Sequence, residues 1–295
     1  MTSSSKTTEL FGLLNIDKPA GVSSRNIVND VQRLIRPVRI GHAGTLDPLA
    51  TGVLILCLGR ATRLVPYLQQ QPKEYLATFL LGRRSETDDV EREVVELPDP
   101  PLPTIQEIEA ALPQFIGDIL QRPPAFSAIK VGGRRAYKMA RQGKQVELAA
   151  RPVTIYEIDL IEYDYPRLML NIRCGSGTYV RSVGRDLATA LGTAAVMSAL
   201  RRTAIGDFRA EEACRADELT SERVASQLLP AALATSQLPS VVVDAAEIER
   251  LRTGLRISRP NHGLTGEIAA KTANGRLISI LTADGQQLRP WRNFV

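Results

Sequence analysis

The sequence contains little of what metal sites, disulfide frameworks and membrane spans require. Its 295 residues include three cysteines and two histidines, with no CxxC or HExxH motif. This scarcity argues against a zinc site and against a disulfide-stabilised scaffold. The longest apolar run, Val53 to Leu58, has six residues, whereas a membrane-spanning helix needs about 20. The first ten residues also lack the apolar core of a secretory signal. We therefore expect a soluble, cytoplasmic protein without a bound metal.

Charge is distributed unevenly along the chain, although the net charge is only +5. Residues 86–120 carry ten acidic side chains and one basic one, and residues 121–151 carry eight basic side chains and one acidic one. Such blocks can be solvated surface and nothing more. The basic block also contains Phe126 and Tyr137, however, and basic groups among aromatic rings can bind phosphates and stack on unpaired bases. The pattern favours RNA as the partner of 121–151.

The spacing of apolar residues predicts an α+β fold, in which a mixed, mostly antiparallel sheet is flanked by helices. Strands are predicted at 11–16, 53–58, 73–81, 153–164 and 167–174. Helices are predicted after Ser23, after Thr104, and at 134–142, 179–190, 193–201 and 245–253. Short segments separated by glycines predict a small β-rich domain at 240–295. We therefore divide the chain into domains at 10–235 and 240–295.

The most unusual stretch of the sequence is GHAGTLDPLATGVLILCLG, residues 41–59. Gly44 and Gly52 permit tight turns, and Pro48 biases Asp47 away from helical backbone. Asp47 is thus predicted to lie in a constrained loop that leads into a buried strand. An aspartate in this position is either a turn former or a reacting carboxylate.

Four more side chains are candidates with two interpretations each. If Thr178 caps the helix at 179–190, Arg181 lies in the first turn, where the helix dipole disfavours a cation. Arg181 is then either a surface residue or a functional one. For Tyr75 and Tyr179, the residues alone favour ordinary core aromatics over a functional role. Lys18 either steadies the 41–59 loop or contacts phosphate.

Six segments resemble, in one order, the TruB family of tRNA pseudouridine synthases, which isomerise the uridine at position 55 in the T loop of tRNA. The segments are LNIDKPAGVSS (14–24), the stretch 41–59, KEYLA (73–77), RPPAFSAIKVGGRRAYKMARQG (122–143), GSGTYVRSVGRDL (175–187) and ALRRTAIG (199–206). The resemblance covers residues 10–210, and several independent motifs in a fixed order make it specific.

The resemblance implies a role for each residue of an active site. It makes Asp47 the catalytic carboxylate, and Arg181 an ion-pair partner that would keep this carboxylate ionised despite burial. It places Tyr75 and Tyr179 against the flipped uracil and makes Leu200 an apolar wall of the pocket. Asp47 could attack the sugar C1′, attack the base C6 or remove a sugar proton, and the sequence leaves these three routes open.

The same resemblance implies how tRNA is bound. His42 would fill the gap that the extruded base leaves in its stack. The T loop and elbow of tRNA would meet the basic segment, with Arg134, Arg135, Lys138 and Arg141 as RNA-binding residues. In the family the C-terminal domain is a PUA barrel that contacts the acceptor end of tRNA, and the short 240–295 segment suggests a PUA-like variant. The family expectation is a monomer that uses no cofactor and no metal, because the isomerisation gains no atom and changes no oxidation state.

Two rival functions are compatible with an RNA-binding surface. An RNA chaperone would need basic residues, but it would have no use for Asp47, Tyr75 and Arg181 together. A cofactor-dependent RNA methyltransferase would need a glycine-rich motif that opens a βαβ unit. The isolated glycines of LGTAAV (191–196) and GSG (175–177) do not form one.

Overall fold

The protein is described by a computed structural model that covers residues 10–127, 129–131, 133–140, 142, 148–260 and 263–295, with only the main chain at 130, 131, 135, 138 and 140. The strands before residue 216 are β1 (Gly12–Lys18), β2 (Ile40–His42), β3 (Thr51–Leu58), β4 (Lys73–Leu81), β5 (Arg83–Arg84), β6 (Val95–Glu96), β7 (Gly117–Gln121), β8 (Lys130–Val131), β9 (Arg134–Arg135), β10 (Arg151–Asp164), β11 (Arg167–Cys174), β12 (Ala195–Ile205), β13 (Phe208–Arg209) and β14 (Cys214–Arg215). The helices are α1 (Ser24–Ile35), α2 (Val65–Gln70), α3 (Ile105–Ala111), α4 (Ala136–Ala140), α5 (Val180–Ala190), α6 (Ser221–Ser226) and α7 (Ala245–Arg252).

A ten-stranded mixed sheet forms the centre of the described chain. Its order is β14-β1-β3-β12-β4-β11-β10-β7, with β2 paired to β3 and β13 paired to β12. The neighbours β1–β14 and β3–β12 are parallel, and the other pairs are antiparallel. The predicted fold class, a mostly antiparallel mixed sheet with helices and a β-rich C-terminal part, is confirmed.

Helix α1 follows the sequence prediction closely. The Ser23 Oγ accepts a hydrogen bond from the main-chain N–H of Asn26 at 3.1 Å, which is the N-cap expected from the sequence. The helix ends at Ile35, before Pro37, as predicted. Its apolar face is buried against β1 and β3. This packing fixes α1 beside the loop that precedes β3.

Helix α5 packs unusually close to β4, and Gly184 makes this approach possible. A Cβ atom at Gly184 would overlap the ring of Phe79. The first turn of α5 is thereby held against the centre of the sheet. The N-cap residue is Tyr179, and the Thr178 hydroxyl donates to the Gly175 carbonyl oxygen, so the prediction that Thr178 caps this helix is wrong.

Two helix predictions fail. The predicted helix at 193–201 is strand β12, because its main chain pairs along β4 on one side and with β3 on the other. Alanine, methionine and leucine favour helices locally, but burial in the centre of a sheet overrides that preference. The predicted helix at 134–142 is also wrong at its start. Arg134 and Arg135 form β9, which pairs with β8 in a hairpin, and helix α4 begins only at Ala136.

The C-terminal part forms a second, five-stranded sheet. Its strands are β15 (Ser240–Val242), β16 (Ile257–Ser258), β17 (Glu267–Lys271), β18 (Leu277–Asp284) and β19 (Gln287–Asn293), in the order β15-β17-β18-β19-β16. Phe294 stacks on Phe11 with 5.6 Å between ring centroids and joins the core that Leu13, Val53 and Leu64 form. The two sheets thus share buried apolar surface. In the described residues, no helix combines the length and apolar character that crossing a membrane requires.

Candidate active site

A cleft of about 880 Å³ opens where the two central strands β4 and β12 meet the start of α5. The loop between β2 and β3 forms one of its walls, and the segment before α5 forms another. The structure brings five sequence-predicted site residues together in this cleft, namely Asp47, Tyr75, Tyr179, Arg181 and Leu200.

The loop that carries Asp47 is fixed at both ends by glycines in left-handed backbone. Gly44 and Gly52 each have φ of 95°. At Gly52 a Cβ atom would also overlap the carbonyl oxygen of Arg202 on β12. Inside the loop, the Ser24 hydroxyl accepts from the main-chain N–H of Leu46 at 2.8 Å and donates to its carbonyl oxygen at 3.0 Å. The loop is therefore held against α1 and β12.

Lys18 lies buried beneath this loop. Its Nζ donates to the carbonyl oxygens of Pro19 at 2.8 Å, Val22 at 2.6 Å and Pro48 at 3.2 Å. Burial lowers the pKa of the Lys18 ammonium to about 8, and the nearby Asp47 carboxylate opposes this shift. Of the two alternatives from the sequence, the contacts fit the first, in which Lys18 steadies the loop.

Arg181 pairs with Asp47, as the resemblance implies. Its Nη2 lies 3.1 Å from Asp47 Oδ2, and its Nη1 lies 3.1 Å from Asp89 Oδ2. The guanidinium also donates to the carbonyl oxygens of Thr87 at 2.7 Å and Phe126 at 3.1 Å. A buried cation in the first turn of α5, where the helix dipole disfavours it, is thus compensated by two carboxylates and two carbonyls.

The Asp47 carboxyl has a pKa above its ordinary value. Exclusion of water by the cleft walls is the largest cause, and the nearby Asp89 carboxylate acts in the same direction. Arg181 and Lys18 oppose the shift. The ion pair with Arg181 therefore opposes an upward pKa shift caused by burial, but it does not cancel that shift.

Asp89 is a buried site residue that the sequence did not reveal. It is 1% exposed, and its Oδ1 accepts hydrogen bonds from the Thr87 hydroxyl at 2.5 Å and from the main-chain N–H of Glu91 at 3.0 Å. The bonds fix the carboxylate that faces Arg181. In the sequence it lies in an acidic run, SETDDVERE, where no local pattern separates a buried aspartate from exposed ones.

Tyr179 is held in the cleft wall by two residues that the sequence analysis did not single out. Gln121, at the end of β7, accepts from the Tyr179 main-chain N–H at 2.8 Å and donates to its carbonyl oxygen at 3.1 Å. The Arg151 guanidinium lies over the Tyr179 ring, 5.0 Å from its centroid. Strand β7 and strand β10 thus fix the N-cap residue of α5.

Tyr75 and Leu200 form the apolar part of the cleft. Tyr75 is 9% exposed on β4, and burial raises the pKa of its hydroxyl above the ordinary value. Leu200 lies opposite Ala77 in the β4–β12 register. Both residues line the cleft together with Asp47.

The structure does not place His42 in the cleft wall. His42 ends β2, opposite Leu56, and burial lowers the pKa of its imidazole. Its Nδ1 is buried and has no hydrogen-bond partner in the part of the chain that the structure describes.

The predicted RNA-binding residues are described only in part. Arg134 is exposed on β9, whereas Arg135 and Lys138 are described by their main chain alone, and Arg141 lies outside the described residues. Across residues 10–295, with the gaps given above, no three His, Cys, Asp or Glu side chains converge in the manner of a metal site.

Comparison with known proteins gives consistent matches. The family model TruB family pseudouridylate synthase (N terminal domain) matches residues 32–180, and the model tRNA pseudouridylate synthase B C-terminal domain matches residues 181–239. A tRNA pseudouridine synthase B of Haemophilus influenzae is 40% identical over 292 residues, which are 96% of this chain and 95% of the relative. A tRNA pseudouridine synthase B of Rhodopirellula baltica is 42% identical over 263 residues, 84% of this chain and 76% of the relative.

Among solved structures, an H/ACA RNP bound to a substrate RNA containing 2'-deoxyuridine holds a chain with the same fold. The TM-score is 0.74 at 23% sequence identity, and the match covers 97% of this chain and 85% of the other.

Proposed function

The chain belongs to the TruB family of pseudouridylate synthases, and we propose that it converts uridine 55 in the T loop of tRNA to pseudouridine. The observation that carries this proposal is the ion pair of Asp47 and Arg181 in a cleft with room for a nucleoside. The names of its relatives, each a tRNA pseudouridine synthase B, support tRNA as the substrate.

The reaction is an isomerisation, so the enzyme is an intramolecular transferase. The N1–C1′ bond of uridine breaks, the uracil turns, and a bond forms between C5 and C1′. The proton on C5 is lost, and N1 carries a proton in the product. Atoms and oxidation states balance without an added group donor or oxidant.

Asp47 is the reacting carboxylate in this proposal. Attack on C1′, attack on C6 and removal of a sugar proton each require the ionised form and a carboxylate held within reach of the nucleoside. Arg181 keeps Asp47 ionised in a site whose burial favours the neutral form. Asp89, in turn, holds the guanidinium in place.

The uridine reaches Asp47 by base flipping. Unstacking a base costs a few kcal/mol, and the cleft offers contacts that offset part of it. Tyr75 and Tyr179 contact the flipped uracil, and Leu200 forms the wall of its pocket. His42, beside the cleft, fills the gap in the tRNA stack.

A basic surface binds the T loop and elbow of the tRNA. We assign this contact to Arg134, Arg135, Lys138 and Arg141 in the segment 121–151, where positive charge and aromatic rings occur together. The segment belongs to a catalytic domain at 10–235, and a PUA-like domain at 240–295 contributes further tRNA contact. The protein acts as a cytoplasmic monomer.

The test uses an unmodified tRNA transcript whose uridines carry tritium at C5, with no cofactor or metal added. Replacement of the C5–H bond by C5–C1′ releases one tritium per turnover, and nucleoside analysis identifies the product. A matched transcript with cytidine at position 55 is the control. We expect release from the first transcript and none from the second. Equal release from both would contradict the assignment to position 55, and none from either would contradict the enzymatic function.

A further inference from the structure

The hydroxyl of Ser127 is buried in the cleft without a partner. Ser127 is 4% exposed and lines the cleft, and its Oγ makes no hydrogen bond within the part of the chain that the structure describes. Other buried hydroxyls around the site are paired: Ser24 with Leu46 and Ser182 with Arg122. The Ser127 hydroxyl thus differs from these two, because buried hydroxyl groups normally have a hydrogen-bond partner.

The main chain on either side of this hydroxyl is fixed next to the reacting groups. The carbonyl oxygen of Phe126 accepts from Arg181 Nη2, the same nitrogen that pairs with Asp47. The carbonyl oxygen of Ser127 itself accepts from the main-chain N–H of Tyr137 at 3.0 Å. Ser127 is thus connected to the Asp47 carboxylate through the carbonyl group of its neighbour Phe126 and the Arg181 guanidinium.

An unpaired buried hydroxyl costs free energy that a ligand can recover. A serine hydroxyl can donate one hydrogen bond and accept others. Resting on the proposed function, we propose that the Ser127 hydroxyl donates a hydrogen bond to an oxygen of the flipped uridine and so positions the nucleoside over Asp47. Three oxygens have this chemistry: O2 and O4 of the base and the 2′-hydroxyl of the ribose.

The protein side of the test compares two serine-to-alanine variants. In Ser127→Ala we expect the single-turnover rate at saturating enzyme to fall about tenfold, which is the effect of one lost hydrogen bond. Its unfolding temperature should stay equal or rise, because the substitution removes an unsatisfied polar group. Ser279→Ala is the matched control: Ser279 is fully buried in the second sheet, and its hydroxyl donates to the Arg292 carbonyl oxygen at 3.0 Å. That variant should unfold at a lower temperature and react at the normal rate.

The substrate side replaces each candidate oxygen of uridine 55 in turn, as 2-thiouridine, 4-thiouridine or 2′-deoxyuridine, in a synthetic T-arm hairpin. For the analogue that lacks the contacted oxygen, wild type and Ser127→Ala should react at nearly the same rate, and that analogue identifies the contact. A tenfold difference that persists with all three analogues would overturn the proposal, as would a normal rate for Ser127→Ala or a loss of stability that matches its loss of rate. Inactivity of the wild-type protein on unmodified tRNA would instead overturn the proposed function.

Discussion

The guanidinium of Arg181 contacts the carboxylates of both Asp47 and Asp89. The cleft walls exclude part of the water around Asp47, whose side chain stays 37% exposed, and one buried cation cannot fully neutralise both carboxylates. The result is that the pKa of the Asp47 carboxyl lies above its ordinary value. Such tuning is common where a carboxylate must react, because a more basic carboxylate is a better nucleophile and a better base.

The pH dependence of the chemical step tests this electrostatic balance. In the proposed reaction Asp47 must be ionised, so the single-turnover rate should fall as the pH drops through its pKa, at a pH above the ordinary aspartate value of about 4. Since Arg181 lowers the pKa of Asp47, Arg181→Gln should move this acid limb to higher pH. Since Asp89 raises it, Asp89→Asn should move the limb to lower pH.

The measurement is the single-turnover rate between about pH 4 and 8, with circular dichroism at each pH to show that the variants remain folded. An acid limb at the same pH in wild type and Arg181→Gln would mean that the guanidinium does not set the charge of Asp47.

How far a residue could be predicted depended on whether its own surroundings in the sequence were unusual. Asp47 lies between glycines and before a proline, a constraint that can be read without a structure. Asp89 and Gln121 carry no such signal, because their partners Arg181 and Tyr179 are more than fifty positions away and only the fold brings them together. The buried, unpaired hydroxyl of Ser127 is likewise a property of packing and not of sequence.

Helix α5 and strand β4 are the elements on which the site depends. Arg181 leaves the first turn of α5, Tyr75 belongs to β4, and the contact of Gly184 with Phe79 sets the distance between the two. Close packing of this kind leaves no space for an added methyl group.

Gly184→Ala sets a gain in helix propensity against a steric overlap with the Phe79 ring. In an isolated helix the change would be stabilising by roughly 1 kcal/mol, but here the new methyl group overlaps the Phe79 ring. We expect overpacking to dominate and to lower the free energy of unfolding by about 1–3 kcal/mol. Thr189→Ala, at an exposed position of the same helix, is the control and should change it by less than about 0.5 kcal/mol. Chemical denaturation measures both, and a stabilised Gly184→Ala protein would refute the close contact.

Elements with a regular pattern and local boundary signals were predictable, and elements fixed by their neighbours were not. Strand β4 has alternating burial and matches its predicted limits, and α1 has a capping serine and a terminating proline. Strand β12 contains helix-favouring residues and is a strand only because β3 and β4 pair with its two edges. Strands that pair with β12 lie more than a hundred residues earlier in the chain, so the residues next to β12 in the sequence do not reveal this pairing.

At the scale of the whole molecule, the two sheets are joined by a shared core. Besides the stack of Phe294 on Phe11, Arg63 donates to the Asn293 carbonyl oxygen at 2.8 Å, and Arg292 donates to the Arg63 carbonyl oxygen at 3.0 Å. The sequence predicted a small β-rich domain at 240–295, but it carried no sign of this contact. The second sheet is therefore attached through buried surface as well as through the chain.

Phe294→Ala tests whether the sheets unfold together. Phe294 is 3% exposed, and replacing a buried phenylalanine by alanine costs about 3–5 kcal/mol. We expect the wild-type protein to unfold in one calorimetric transition, and we expect this transition to shift to lower temperature or divide in two in Phe294→Ala. Trp291→Ala, three residues earlier on β19 and 53% exposed, should leave it almost unchanged. Equal effects of the two substitutions would contradict a shared core.

Single-turnover conversion of uridine 55 by Asp47→Asn, measured beside tRNA affinity on the same preparation, tests whether Asp47 is the reacting carboxylate. Asparagine keeps the shape and turn-forming capacity of aspartate, but it loses the charge and nearly all nucleophilicity. We predict that conversion falls by several orders of magnitude, while folding and tRNA binding persist because they rest on the core and the basic surface. Near-normal conversion by an Asp47→Asn protein, free of wild-type enzyme and of deamidation back to aspartate, would contradict the central claim.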